Sequence, residues 1–292
     1  MPQPIAALAR TRYAAGAVAV VLAMSGAAAL SGCSLPAQSA LGSPAAGRPA
    51  QAGTAGGQTD TLATGPRVLN PVNGRLEAAV PDIGKTVLLI GDSQSEPADG
   101  WPRLGLAAAG YKVYFCGRGG TGFVSSNGST GNYIEALLRG DWLLPSGTPA
   151  LIVIQGGGND AAKGASDSQI VHNAERLIAE LRERYPGTRI AMIGTLARGE
   201  SQGGGRRSEV DVLLGSVAQA HNLPFVSVGD WLTRFGLVKD LADSVHMNPA
   251  GRQKLGTLLE GRLRELGLER KPTADQSPVL AAGTEAAGLG QD

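Results

Sequence analysis

Short apolar runs alternate with amphipathic stretches along the middle of this chain. The runs are rich in Val, Ile or Leu and are apolar almost throughout, which is typical of strands that helices cover on both faces. They predict strands at Thr86–Ile90, Lys112–Cys116, Leu151–Gln155, Arg189–Gly194 and Pro224–Val228.

The amphipathic stretches between these runs predict helices. In Ser166–Tyr185 the apolar residues recur at helical spacing, and Pro186-Gly187 ends the pattern. The remaining helices are predicted at Trp101–Ala109, Ser208–His221 and Pro249–Leu266. Because strands and helices alternate, the predicted fold class is α/β, with a five-stranded parallel sheet and helices on both of its faces.

The N-terminal segment predicts export. Arg10 and Arg12 precede Tyr13–Leu30, an apolar stretch without charge that is better suited to a signal peptide than to a membrane span. It ends in Leu30-Ser31-Gly32-Cys33, which resembles the lipobox of bacterial lipoproteins, so Cys33 is the predicted lipidation site. The alternative is a chance cysteine that follows an uncleaved membrane anchor.

Composition divides the chain into four parts. A segment rich in Ala, Gly, Pro and Ser follows the signal, and the last residues are similar, so both lack the apolar surface that ordering requires. We therefore expect a signal peptide, a tether, one folded domain and a disordered tail, at 1–32, 33–66, 67–270 and 271–292.

Charge and cysteine content exclude several classes of function. The 26 basic and 25 acidic residues nearly cancel and aromatic residues are 4% of the chain, so neither a nucleic-acid surface nor a stacking platform is expected. Cys33 and Cys116 are the chain's two cysteines, so we expect no disulfide framework, and Cys116 is predicted to be a buried thiol. No cofactor and no metal site are predicted, since the histidines are few and scattered.

Candidate chemistry begins directly after the first predicted strand, with Gly91-Asp92-Ser93. Ligands of open α/β sheets lie at the C-terminal ends of the strands, so Ser93 is expected at that edge. There it is either a nucleophile or the polar end of a strand.

Glycine-rich segments follow the next two strands. Gly117–Gly122 can turn its backbone N–H groups toward an oxyanion, although a flexible loop or a nucleotide-binding loop is also compatible with it. Gln155–Asp160 places Asn159 where its amide could stabilise an oxyanion, or else forms an ordinary turn.

A last candidate segment, Asp243–His246, precedes the final helix. Aspartate and histidine three residues apart on one loop can face the same cleft, and the carboxylate then orients the imidazole. A lone histidine is otherwise a structural residue. His172 and His221 lie in predicted helices and are interpreted in that way.

In this order and spacing, the segments resemble the SGNH (GDSL) hydrolase family. Gly91-Asp92-Ser93 matches its first block, Gly157–Asp160 its Gly-x-Asn-Asp block and Asp243–His246 its Asp-x-x-His block. The glycine of its second block matches Gly119 best, with Gly120 one step away. The residues Gln94, in place of the usual leucine, and Met247 depart from the pattern.

The resemblance implies a flavodoxin-like three-layer α/β/α sandwich and a role for each matched residue. Ser93 would attack an ester carbonyl, His246 would take its proton and Asp243 would hold the imidazole. The oxyanion would be stabilised by the backbone N–H groups of Ser93 and Gly119 and by the amide of Asn159. Collapse of the tetrahedral intermediate would give an acyl-enzyme.

We therefore expect a lipid-anchored, monomeric serine esterase that acts on small acyl esters, lipids or glycan O-acyl esters outside the cytoplasmic membrane. An acyltransferase acting on envelope glycans and a non-catalytic envelope binding protein are the alternatives. The Gly/Arg/Ser-rich segment Ala197–Arg207 either lines the cleft and meets anionic groups or is a solvated loop. Gly122–Asp141 is interpreted as a flexible loop.

Overall fold

A computed structural model describes residues 65–199, 201 and 204–271 of the chain. A short antiparallel hairpin, made of β1 (Arg67–Leu69) and β2 (Leu76–Ala78), precedes a five-stranded sheet. The strands of this sheet are β3 (Thr86–Gly91), β4 (Lys112–Gly117), β5 (Leu151–Gln155), β6 (Ile190–Ile193) and β7 (Phe225–Val226). All neighbours are parallel, in the order β4-β3-β5-β6-β7.

Helices connect the strands and cover both faces of the sheet. They are α1 (Trp101–Ala108), α2 (Tyr133–Arg139), α3 (Gly158–Ala162), α4 (Asp167–Arg184), α5 (Gly205–Ala220), α6 (Trp231–Arg234) and α7 (Pro249–Glu265). Side chains of α2, α4 and α5 share one core with the sheet, and those of α1, α6 and α7 share the other.

Strand β3 shows why its sequence is apolar at every position. Leu88 and Ile90 face the core on the α4 side, whereas Val87 and Leu89 face the core on the α7 side, and all four are fully buried. A strand buried on both faces has no solvent side for polar residues. The predicted five-stranded parallel α/β/α sandwich is confirmed, and Cys116 is buried, as expected.

The structure corrects several boundaries and adds short elements. Helix α5 begins at Gly205, three residues before the predicted start, because its glycine- and arginine-rich first turn hides the helical pattern. The predicted loop Gly122–Asp141 contains α2, which Asn132 caps by accepting a hydrogen bond from the N–H of Glu135 (3.0 Å). Helices α2, α3 and α6 have seven, five and four residues, too few to show a periodic pattern.

The predicted signal peptide, Cys33 and nearly all of the predicted tether and tail lie outside the described residues. The proposed division of the chain into four parts therefore stays a prediction. Within residues 65–199, 201 and 204–271, no helix combines the length and the apolar character needed to span a bilayer.

Candidate active site

Ser93 lies at the C-terminal edge of the sheet, two residues beyond the end of β3. The chain turns sharply here, since the N–H groups of Ser95 and Glu96 both donate to the carbonyl oxygen of Asp92 (3.0 and 2.9 Å). The Asp92 carboxylate also accepts from the N–H of Gln94 (2.9 Å). This turn holds Ser93 at the edge of the cleft with its side chain partly exposed.

The Asp243–His246 loop meets Ser93 across this edge. The imidazole Nε2 of His246 lies 2.8 Å from Oγ of Ser93, and its Nδ1 lies 2.8 Å from Oδ2 of Asp243. A carboxylate only accepts, so Nδ1 carries the proton and Nε2 accepts from the Ser93 hydroxyl. The three side chains are therefore joined in one hydrogen-bonded relay, which runs from the Ser93 hydroxyl through the imidazole to the Asp243 carboxylate.

Backbone hydrogen bonds keep the Asp243 carboxylate ionised. Its Oδ1 accepts from the N–H groups of His246 and Val245 (2.7 Å each). These two bonds, followed by the imidazole, lower the pKa of Asp243 to about 2. The Asp-x-x-His spacing thus folds the loop back onto its own carboxylate, which then holds the imidazole in the required tautomer.

Gln94, the departure from the family pattern, joins the nucleophile turn to the histidine loop. Its Nε2 donates to the carbonyl oxygen of Val245 (2.9 Å), and its Oε1 accepts from Nε1 of Trp101 (3.1 Å). A leucine could make neither bond. Met247, the second departure, is 1% exposed and packs into the core on the α7 side. Both departures therefore hold the histidine loop in place.

The structure separates the two candidate oxyanion glycines. A Cβ on Gly119 would lie 3.3 Å from Cβ of Ser93, whereas one on Gly120 would meet the side chain of Asn127. Gly119 is therefore the glycine that packs against Ser93. Its N–H, however, donates to Oε2 of Glu96 (3.0 Å), so a carboxylate of the protein itself occupies this donor.

Asn159 reaches the same cleft from the first turn of α3. Gly157, with φ of 103°, turns the chain from β5 into this helix in a conformation that favours glycine. The Asn159 amide donates to the carbonyl oxygen of Thr121 (2.9 Å) and lies 3.5 Å from Oδ2 of Asp92. The structure thus brings Asn159 beside Ser93 and His246, with which it lines one small cavity.

Two further carboxylates, those of Asp160 and Asp92, are buried beneath the site. Asp160 is fully buried and accepts from the N–H groups of Phe123, Val124 and Ser125 at 2.8–2.9 Å, so it fixes the glycine-rich loop after β4. Asp92 is 3% exposed, and burial raises its pKa to about 6. Asp160 lies in the matched Gly-x-Asn-Asp block. That match was the one sequence feature that pointed to a structural role for its carboxylate.

The cleft at Ser93 is small, and a larger cavity adjoins it. Its narrow part has a volume of about 50 Å³ and is lined by Ser93, Asn159 and His246, among others. A second cavity of about 280 Å³ shares Leu196, Arg207 and Val245 with it. Among the described residues, no cluster of three or more His, Cys, Asp or Glu side chains could hold a metal ion.

Comparisons with known proteins agree with this geometry. Residues 89–254 match the GDSL-like lipase/acylhydrolase family, and this range covers more than half of the chain and includes all three relay residues. A multidomain esterase of Ruminococcus flavefaciens is 28% identical over 134 residues, which are 44% of this chain and 17% of that protein. The chain therefore spans less than a fifth of that relative's length.

Two solved family two carbohydrate esterases share the fold. The enzyme from Cellvibrio japonicus has a TM-score of 0.51 and 15% identity, and the match covers 65% of this chain and 64% of that chain. The enzyme from Clostridium thermocellum, in complex with cellohexaose, has a TM-score of 0.50 and 19% identity, with coverages of 67% and 68%. At these identities the similarity shows the fold alone.

The motifs, the parallel sheet and the family match agree with one another. The enzyme class expected from the sequence, an SGNH-type ester hydrolase, is therefore confirmed at the level of the family. The chain belongs to the GDSL-like lipase/acylhydrolase family.

Proposed function

We propose that this protein is a serine esterase that hydrolyses small acyl esters through an acyl-enzyme. The observation that carries the proposal is the relay of Ser93, His246 and Asp243, whose two contacts are both 2.8 Å. A nucleophile bonded to a base, which is itself oriented by a third group, is the arrangement that acyl transfer requires.

In the first step, Oγ of Ser93 attacks the ester carbonyl carbon while its proton moves to Nε2 of His246. The ionised Asp243 stabilises the imidazolium that forms. The tetrahedral intermediate then collapses, and the imidazolium protonates the departing alcohol. Water, activated by the same imidazole, attacks the acyl-enzyme and releases the acid and Ser93.

The oxyanion is stabilised by the N–H groups of Ser93 and Gly119 and by the amide of Asn159. The N–H of Gly119 becomes available only when the Glu96 carboxylate leaves it. Glu96 is exposed, so its side chain can rotate into solvent without disturbing the core. One such donor contributes about 3–4 kcal/mol to transition-state stabilisation in a well-studied protease.

The size of the cleft supports a small acyl group. The cavity beside Ser93 is small, about 50 Å³ against about 280 Å³ for the adjoining one, which favours a short acyl group. A longer substituent would have to extend into the adjoining cavity of about 280 Å³. Acetyl esters are therefore the proposed minimal substrates.

The alcohol part and the location are proposed from the sequence. The basic residues, apolar stretch and Cys33 at the N-terminus support export and lipid anchoring to the outer face of the cytoplasmic membrane. An enzyme at that location would encounter O-acylated envelope glycans. We propose that the protein acts as a monomer. Acetylated glycans therefore belong in the substrate panel.

Solvent access favours hydrolysis over acyl transfer to a sugar. The His246 and Asp243 side chains are 39% and 55% exposed, so water reaches the relay. A transferase must exclude water from its acyl-enzyme. The complete relay likewise supports an enzyme over a non-catalytic binding protein that retains the fold.

The test uses the full chain with a fluorophosphonate probe, p-nitrophenyl esters from acetate to palmitate, and acetylated glycans. We expect covalent labelling and a rate that falls as the acyl chain lengthens. Ser93→Ala removes the nucleophile, so labelling should be lost and kcat should fall by at least about 10⁴-fold. Ser216→Ala, at an exposed position of α5, is the matched control and should label normally. Labelling that persists in Ser93→Ala would exclude Ser93 as the nucleophile.

A further inference from the structure

The cavity next to the catalytic cleft has an unusual lining. It has a volume of about 280 Å³, and its described lining residues include three arginines but no aspartate or glutamate. It adjoins the cavity at Ser93, and Leu196, Arg207 and Val245 line both cavities. A group bound there would be part of a molecule whose ester lies at Ser93.

One of the three arginines is neutralised by its neighbours. Arg206 forms ion pairs with Asp167 (2.7 Å) and Glu209 (3.1 Å) and donates to the carbonyl oxygen of Ala165 (2.8 Å). Its charge and its donors are thus committed to the protein. Arg206 therefore contributes little to the field inside the cavity.

The other two arginines have donors to spare. The guanidinium group of Arg207 makes no hydrogen bond or ion pair to any residue that the structure describes, although the residue is partly buried. Burial lowers its pKa, and the charge of Asp92 opposes this effect without forming an ion pair. The Nε of Arg198 is buried and likewise has no acceptor among the described residues. Arginine stays protonated, so each carries a full positive charge beside the cavity.

The backbone adds to this positive field. Helix α5 begins at Gly205, directly after the cavity-lining Gly204, and is 16 residues long. It has no side-chain cap and no acidic residue in its first turn. Its first N–H groups lack intrahelical acceptors, and the helix dipole places partial positive charge at this end.

We propose that this cavity is a subsite for an anionic oxygen group, a carboxylate or a phosphate, on the ester substrate. The inference rests on the proposed esterase function and names the substrate class. A carboxylate or phosphate in the cavity would be attracted by both guanidinium groups and would accept hydrogen bonds from Arg207, whose side chain has no acceptor among the described residues. The subsite would favour acidic esters over neutral ones of equal size.

The test measures kcat/KM for matched pairs of acidic and neutral esters with the full chain. On the acyl side, p-nitrophenyl hemisuccinate is compared with p-nitrophenyl methyl succinate. On the alcohol side, acetylated glucose 6-phosphate is compared with acetylated glucose. We expect the acidic ester to be preferred in at least one pair, mainly through a lower KM, and the preference to weaken as salt is added.

Substitutions then assign the preference to the cavity. Arg207→Gln and Arg198→Gln should each lower the acidic-to-neutral ratio by about tenfold, whereas Arg207→Lys, which keeps the charge, should retain part of it. Arg176→Gln removes the same charge from an exposed position of α4 and should leave the ratio unchanged.

Two outcomes would overturn the subsite. These are hydrolysis of the neutral esters with no acidic preference in either pair, and an unchanged ratio in Arg207→Gln. Failure of the proposed function is a different result, because the wild-type protein would then hydrolyse none of the four esters.

Discussion

The two sides of Ser93 are organised differently. On one side, His246 and Asp243 are already in hydrogen-bonding position, with both contacts at 2.8 Å. On the other side, the N–H of Gly119 donates to Glu96 and the amide of Asn159 donates to Thr121. The relay is therefore already hydrogen-bonded, whereas the candidate oxyanion donors are bonded to acceptors of the protein itself.

Each side also has its own carboxylate, and the two have opposite pKa shifts. Asp243 is exposed, and backbone N–H groups lower its pKa to about 2. Asp92 is buried, and desolvation raises its pKa to about 6. The comparison teaches that backbone hydrogen bonds lower the pKa of an exposed carboxylate, whereas at Asp92 burial outweighs the hydrogen bonds that the carboxylate accepts.

The largest expected effect comes from removing the imidazole of the hydrogen-bonded relay. His246→Ala removes the base and should lower kcat for p-nitrophenyl acetate by at least about 10⁴-fold, because the Ser93 proton then has no acceptor. His172→Ala, at an exposed position of α4, is the matched control and should retain full activity. Residual activity of His246→Ala within tenfold of wild type would contradict the relay.

A smaller effect concerns the buried carboxylate. The pKa of Asp92 rises from 3.8 to about 6 on folding, so between about pH 4 and pH 6 the folded chain holds a proton that the unfolded chain releases. The free energy of unfolding should therefore decrease as pH rises through this window, by about 3 kcal/mol relative to Asp92→Asn. Urea denaturation of both proteins at several pH values measures the difference.

Asp243→Asn provides the comparison for this measurement. The pKa of Asp243 is lowered, so its contribution to stability is present above about pH 4 and is lost as pH falls toward 2. The two variants should thus deviate from wild type in different pH windows and with opposite sign. A parallel pH dependence of wild type and Asp92→Asn would show that Asp92 titrates normally.

The smallest expected effect concerns the hydrogen-bond donors on the oxyanion side of Ser93. Glu96→Ala frees the N–H of Gly119 and removes a negative charge from the place where the oxyanion forms, so kcat/KM for p-nitrophenyl acetate should rise by about two- to tenfold. Glu183→Ala, which removes a charge from an exposed position of α4, should change nothing. A fall in kcat/KM would mean that Glu96 supports the site rather than occupying it.

Much of the site could be read from the sequence because short motifs follow predictable strands. Ser93, Asn159 and the Gly119 loop each come directly after a buried apolar run, and parallel strands bring their C-terminal ends to one edge. Asp243 and His246 share a loop, so their contact depends on local geometry. The positions of these residues could therefore be predicted from the strand positions and the motif spacing alone.

Contacts between distant loops could not be read in this way. The bond of Gln94 to Val245 joins residues 151 positions apart, and that of Gly119 to Glu96 joins residues 23 apart. No sequence spacing predicts either hydrogen bond, because each bond depends on how two separate loops approach one another. The sequence pattern likewise missed the first turn of α5, which contains Arg207. For that reason the sequence did not show whether Ala197–Arg207 lines the cleft or is a solvated loop.

The sequence by itself determined the order of strands and helices, the burial of the sheet on both faces and the candidate residues of the relay. These follow from apolar periodicity and from local motifs, which act over a few residues. Only the tertiary structure decided that Gly119 rather than Gly120 packs on Ser93, that Glu96 accepts from the N–H of Gly119, and that Arg198 and Arg207 line the cavity next to Ser93. Such features arise where separate loops meet, and their distances are properties of the folded packing.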